Sequence, residues 1–325
     1  MTNSKTLVAS SSEDLLAMVP YVLGFQPEES AVMLTFGEVN FHARIDLPHH
    51  TEEVGGFVDA LVEPVRRHGV TTVVLLAYTD DAVRASWAMH ELHDALDAHD
   101  VNVLDMMRVD GNLWYPIRDG LPADQYFGVV FDPRAHRFAA ESVLEGRITH
   151  ASREELADSL VGTDLEAVEA VEDAVMTAMR AWSGVQPTAE RAWARRFVHG
   201  HVAGGTRASA EGVGRLVVAL CDTRIRNELW SQLTREQAEA QVEFWTDVVR
   251  RTPLDCMAAP AALLACAAWL SGNGALSWCA LDRAGLAEPD YEMAQVIGVF
   301  LQQAVPPSDW EALRHKVFEV YDEDA

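Results

Sequence analysis

Hydrophobic positions follow two different periods along the first 150 residues. Ala31–Phe36 is nearly continuous apolar sequence. Val39–Leu47 alternates, with Phe41, Ala43, Ile45 and Leu47 on one side and His42, Arg44 and Asp46 on the other. That is the period of a strand with one dry face, and Gly37-Glu38 between the two runs predicts a short hairpin turn. Upstream, Ser11 or Ser12 is placed to cap a helix whose first turn carries Glu13 and Asp14, with Pro20 disturbing it and Gly24 ending it. Downstream, Val54, Phe57, Val58, Leu61 and Val65 recur at helical spacing within Thr51–His68, and Gly69 stops that helix. Thr72–Ala77 is an unbroken apolar run, as in a strand buried on both faces. Asp81–His99 carries the helical stripe Ala85, Met89, Leu92 and Leu96, and Val101–Val109 is again strand-like. Strand and helix alternating at these lengths predict right-handed crossovers and a small, mostly parallel sheet with flanking helices, an α/β domain. The first hairpin, Leu113–Tyr115 and Tyr126–Phe131 would extend it at its edges.

From about Pro133 the strand signals stop and only helical segments follow, including Ser209–Leu229 as one long helix. The chain therefore divides into an α/β domain over residues 1–150 and an all-helical region over 151–325, in keeping with a length too great for one ordinary core. Ala261–Tyr291 looks like one tetratricopeptide-type unit, two helices around a tight turn at Gly272-Asn273-Gly274, with small residues at Ala275, Ala280 and Ala284. A solenoid needs about three such repeats, so an isolated helical hairpin packed on its neighbours is expected.

Charge narrows the functional classes. The formal net charge is −25, with 10 basic and 23 acidic residues in 1–150 and 15 and 27 in 151–325. An excess spread in this way repels phosphate backbones and anionic headgroups, so no nucleic acid is expected through a basic surface. Cys221, Cys256, Cys266 and Cys279 have no CxxC spacing and sit mostly in apolar helical sequence, so neither a disulfide framework nor structural zinc is expected, and a reducing cytoplasm is. Cys256–Leu281 carries no charge and is long enough for a membrane span, but Ser271–Gly274 breaks it; two buried helices are expected instead. The first residues lack the hydrophobic core of a signal peptide.

Ser11/Asp14/Leu15, Val19-Pro20-Tyr21, Leu23-Gly24-Phe25, Pro27-Glu28 with Ser30, and Ala43–Pro48 resemble the opening of the actinobacterial domain of unknown function 4192 family. Gly146-Arg147 and Ser152–Leu156 are similar to its middle, and Gly274–Leu276, Ala280–Ala284, Pro289–Tyr291 and Val305–Pro307 to its end. The resemblance implies no chemistry. The family often carries a paired cysteine-proline segment where this chain has Leu113–Pro116 and Leu121–Asp124 without cysteine.

Candidate chemistry is sparse. No GxxxxGK[ST], strand-to-helix GxGxxG or GxSxG occurs. Gly200–Arg207 has an anion-cradle composition but helical neighbours, so an interhelical loop is expected. His90, His93, Asp94 and Asp97 share a helix face opposite the apolar stripe, where solvated residues are the ordinary outcome; no metal and no cofactor are expected. Open α/β sheets bind ligands at the carboxyl ends of their strands. That rule gathers a candidate crevice of Asp46, His49, His50, Tyr78, Thr79, Asp80 and Arg108. The structural counterpart is an Arg44–Asp46 ion pair and Asp80 as a helix cap. The tryptophans, about one per C-terminal helix, are expected as packing anchors. The first functional expectation is a non-catalytic cytoplasmic interaction or regulatory protein that binds another protein through its helical half. The second is an enzyme or small-molecule sensor using the crevice. Self-association is left open.

Overall fold

The structure, a computed structural model, describes residues 9, 11–37, 41–118, 127–144, 148–184 and 186–323. The N-terminal segment, the turn residue Glu38, the first residues of the Val39–Leu47 strand, Leu121–Asp124, Tyr126 and Gly146-Arg147 lie outside them. The chain divides near residue 153 into two compact units.

The first unit opens with α1 (Ser12–Leu23). Ser11 Oγ accepts from the Asp14 N–H at 3.1 Å, and the helix passes through Pro20 to end at Gly24, whose φ of 77° only glycine adopts at no cost. Six strands follow: β1 (Ser30–Phe36), β2 (His42–Asp46), β3 (Thr72–Tyr78), β4 (Asn102–Asp110), β5 (Leu113–Pro116) and β6 (Val129–Val130). Their order is β2-β1-β3-β4-β5-β6. Only β3 and β4 pair in parallel; every other pair is antiparallel. The expected mostly parallel sheet is thus a mixed one. The reason is β1, buried on both faces through Ala31, Met33, Val32 and Leu34, and therefore unsuited to an edge. The crossover from β2 to β3 passes β1 and lands on its far side.

Helices α2 (Val54–Arg67) and α3 (Ala82–Asp97) form one dry layer with the sheet. Phe57, Leu61, Val65, Ala85, Met89, Leu92 and Leu96 pack with Ala31, Met33, Val73, Leu75 and Ala77. The other face of the hairpin is polar within its burial. The register sets Ser30 beside Asp46 and Val32 beside Arg44. Ser30 Oγ, His42 Nδ1 and Arg44 Nε are buried there without a hydrogen-bond partner among the described residues. Burial pushes the His42 imidazole down to about 4. It also lowers Arg44 from the usual guanidinium range, although the carboxylate of Asp46, 2.6 Å away, acts in the opposite direction. The expected Arg44–Asp46 ion pair is therefore present. Short helix α4 (Arg137–Leu144) meets α1 near buried Asp14, which takes His136 Nε2 at 3.1 Å and Arg137 at 3.3 Å.

In the second unit the described elements are all helices: α5 (Arg153–Asp158) at the boundary, then α6 (Leu165–Ala181), α7 (Pro187–Gly204), α8 (Ala210–Ala219), α9 (Thr223–Ser231) and α10 (Ala238–Arg251). These are followed by α11 (Ala258–Leu270), α12 (Gly274–Ala287), α13 (Glu292–Gln302) and α14 (Trp310–Glu323). The single helix expected over Ser209–Leu229 is broken, because Asp222 caps a new helix through the Arg224 N–H. Gly200–Gly204, expected as loop, are the last turn of α7, which ends at Gly205 with φ 57°.

α11 is buried along almost its whole length, and its run of alanines lets α10, α12 and α13 pack closely around it. At about 1.5 Å per residue, 13 residues span roughly 20 Å. Among the described residues no helix is long and apolar enough to cross a membrane. α11 and α12 form a hairpin, turned at Gly272 and capped by Asn273, with Ser277 Oγ donating to the Ala265 carbonyl at 2.7 Å. Trp310 stacks on Trp230 at 6.3 Å and meets Trp269 edge-on at 5.9 Å. The indole N–H groups of Trp310 and Trp269 donate to the Leu233 and Val305 carbonyls. Helices α6 and α8 approach so closely at Gly214 that a Cβ there would lie 2.6 Å from Ala174 Cβ and 2.7 Å from backbone atoms.

Gly214→Ala is therefore expected to destabilise the protein by about 1–3 kcal/mol. Gly285→Ala, in α12 with no atom near the added Cβ, should stabilise it by roughly 0.5–1 kcal/mol. Urea unfolding followed by tryptophan fluorescence measures both, and equal effects would contradict the close helix contact. His42 gives a second prediction. Its folded pKa of about 4 lies below the ordinary 6.5, so the unfolded chain binds the proton more readily between those values. Stability contributed by neutral His42 is complete above pH 6.5 and lost as the pH falls to about 4, by at most about 3 kcal/mol. His42→Leu should flatten that part of the stability profile, and an unchanged profile would show that His42 is not the group responsible.

Candidate functional site

The mixed sheet brings the start of β1 beside the carboxyl ends of β2, β3 and β4. Three loops meet there. After β2, Leu47 donates its N–H to the Glu29 carbonyl at 3.0 Å. The chain then turns through His49 and His50 into a 3-10 turn at Thr51–Glu53. The Glu53 carboxylate accepts the His49 N–H at 2.7 Å and the His50 N–H at 3.4 Å. Those bonds, the one from His49 first, hold Glu53 below the usual carboxylate range. Glu29, before β1, is a non-glycine residue at φ 44°, a conformation that costs about 1 kcal/mol or more and survives only where surrounding contacts enforce it.

After β3, the Thr79 N–H donates to the Val109 carbonyl and Asp81 caps α3, accepting from Val83 and Arg84 at 3.0 and 2.9 Å. The cap is Asp81 and not Asp80, because the chain needs one further residue, held by Thr79 Oγ1 at 3.2 Å, to turn into the helix. Asp80 is exposed, and its carbonyl, like that of Thr79, accepts from Arg108.

Arg84 is the centre of the arrangement, and sequence reasoning missed it. Its side chain is only 13% exposed. It forms an ion pair with Glu29 and donates to Thr79 Oγ1 at 2.9 Å. A guanidinium has donors only, so its 2.8 Å contact with His49 Nδ1 makes that nitrogen the acceptor and leaves the neutral imidazole proton on Nε2. One signal was available: Arg84 lies in the first turn of α3, where the helix dipole disfavours a cation, so a tertiary counter-charge was called for.

Two clefts share His49. One, of about 500 Å³, has walls from His50, Glu52, Asp81, Arg84 and Trp87; the other, of about 400 Å³, from Glu29, Asp46, Leu47 and Phe57. Of the sequence-derived candidates, Asp46, His49 and His50 line these clefts. Thr79 stands behind them as a support for Arg84. Tyr78 is buried and absent from both walls, and burial drives its hydroxyl pKa far upward. Arg108, 9% exposed, braces the β3–α3 loop, reaches Asp110 at 3.2 Å and lies 4.1 Å over the Tyr115 ring.

The clefts offer the Nε2–H of His49, with His50 and Thr51 nearby, beside the carboxylates of Glu52 and Asp81 and the apolar surfaces of Trp87 and Val83. Thr79 Oγ1 is committed to Arg84 and Asp81, and the cysteines all lie in the helical unit. Among the described residues no three His, Cys, Asp or Glu side chains are grouped to hold a metal. His90 Nδ1 sits 2.6 Å from the Ser86 carbonyl and His93 3.3 Å from Asp94.

Comparison with known proteins gives a family and no activity. No curated protein and no solved structure matches the chain. The model of the domain of unknown function 4192 family matches residues 13–308, and over that extent the chain belongs to this family.

Proposed function

We propose that the first unit binds a small polar molecule in the clefts around His49, acting as a sensor or as an enzyme. The observation that carries this reading is the convergence of three loops on one nearly buried arginine that orients a histidine shared by two clefts. Such an arrangement is a pre-formed site of the usual size for small ligands. The wall chemistry selects a molecule with an acceptor for His49 Nε2–H, a flat or apolar body against Trp87, and an amino group facing Glu52 and Asp81. The four cysteines, none in a disulfide, support a reducing, cytoplasmic setting.

Thermal-shift screening of amine-bearing polar metabolites tests this. A true ligand at a hundredfold excess over its Kd should stabilise the chain by about 2.7 kcal/mol. His49→Gln and Glu52→Gln should weaken binding at least tenfold without changing the unliganded melting temperature. A hit unaffected by both substitutions would refute the site.

A second reading, an interaction protein working through its helical half, is supported by one feature. Leu165, Met176 and Met179 lie 70%, 47% and 45% exposed on one side of α6, and adaptable methionines favour protein contacts. The α11–α12 hairpin, with its tight turn and small residues, fits the tetratricopeptide-like unit in the same reading. A stoichiometric partner captured from a lysate should be lost with Met176→Glu/Met179→Glu; a partner retained by that variant would argue against the α6 face.

A further inference from the structure

Against the formal charge of −25, residues 187–215 hold five arginines and two glutamates. Most of that local excess lies on α7. Arg191, Arg195, Arg196 and His199 are all on its exposed side. Their only close carboxylate among the described residues is Glu228 of α9, which is in contact with Arg191 and 3.7 Å from Arg195. One carboxylate has about four acceptor positions and two guanidinium groups have ten N–H donors, so most of the donors face water. Arg196 and His199 have no hydrogen bond or ion pair among the described residues. Beside Arg196 one helical turn away stands half-buried Trp193, with Arg215 lying 3.9 Å over its ring. Arg215 is itself fixed by two hydrogen bonds to buried Glu190, at 2.8 and 2.6 Å. The result is a cationic strip, flanked by a fixed Arg215, on a chain of net negative charge.

The geometry points to α7 as a docking face for a short, glutamate- and aspartate-rich segment of another protein. An arginine fork donates two parallel N–H groups to one carboxylate, and the strip from Arg191 to His199 is about 12 Å long at 1.5 Å per residue, the reach of roughly four extended residues. That length decides between acidic partners. A nucleic acid carries its charge continuously, one per about 1.7 Å of duplex, and would run beyond a strip of this length. A short acidic peptide ends where the strip ends. The site is independent of the clefts around His49.

Fluorescence anisotropy of a labelled hexaglutamate peptide with the full chain at low ionic strength is the test. The expected result is saturable binding that weakens with added salt, falls at least tenfold in Arg195→Ala/Arg196→Ala, and largely survives in Arg195→Lys/Arg196→Lys. His49→Gln should leave it unchanged, which separates this site from the proposed ligand cleft. Circular dichroism checks that the exposed substitutions keep the fold. No saturable binding, or equal binding by the alanine variant, overturns the proposal. So does tighter binding of a DNA or RNA oligomer of equal charge, or a wild-type dimer that the alanine variant dissolves.

Discussion

β1 has no polar side to show to water. Ala31 and Met33 face one layer of the unit and Val32 and Leu34 the other, and all four are buried. A strand of this kind must sit inside its sheet, with partners on both edges. β2 covers one edge through the hairpin, and β3 has to cover the other, so the crossover through α2 cannot set β3 next to β2. From this single requirement come the mixed sheet, the placing of α2 and α3 on one face, and the meeting of the start of β1 with the ends of β2 and β3. Glu29 is brought to His49 and Arg84 by that antiparallel entry. A wholly parallel sheet would have put it at the opposite end.

The helical unit obeys a different constraint. α11 has almost no exposed surface, so its neighbours must surround it, and its small side chains let them do so. Large indoles then fill what the alanines leave open, and each of Trp269 and Trp310 has its N–H satisfied by a backbone carbonyl. Burying such a group without a partner would cost about 1–3 kcal/mol. Glycine serves the same end at Gly214, where two helix backbones nearly touch.

The two charged features of the molecule differ in how their charge is balanced. Arg84 is nearly buried, and its terminal nitrogens engage Glu29, Thr79 and His49; its role is to hold other groups in place. The α7 arginines are exposed, and only Arg191 and Arg195 share a carboxylate, so their donors are available to a partner. The first arrangement gives a shaped cleft, the second a surface with reach.

Much of the element list was legible in the residues. The alternation of Phe41, Ala43 and Ile45 against His42 and Arg44, the stripe of α2, the Ser11 cap and the Gly24 stop all depend on neighbours a few positions away, and each stands where the spacing put it. The loops of the candidate crevice were legible too, since they follow strand ends. Three things were not: the order of the strands, the break at Asp222, and which side chains of the crevice face the clefts. Tyr78 and Arg108 turn to structural tasks, while Arg84, in a helix, turns to the site. Periodicity and caps could be read from the residues alone because they depend on near neighbours in the chain, and charge because it is a sum over side chains. Strand pairing and the convergence of loops emerge only in the folded chain, because they depend on which distant segments satisfy the same buried edge or the same guanidinium.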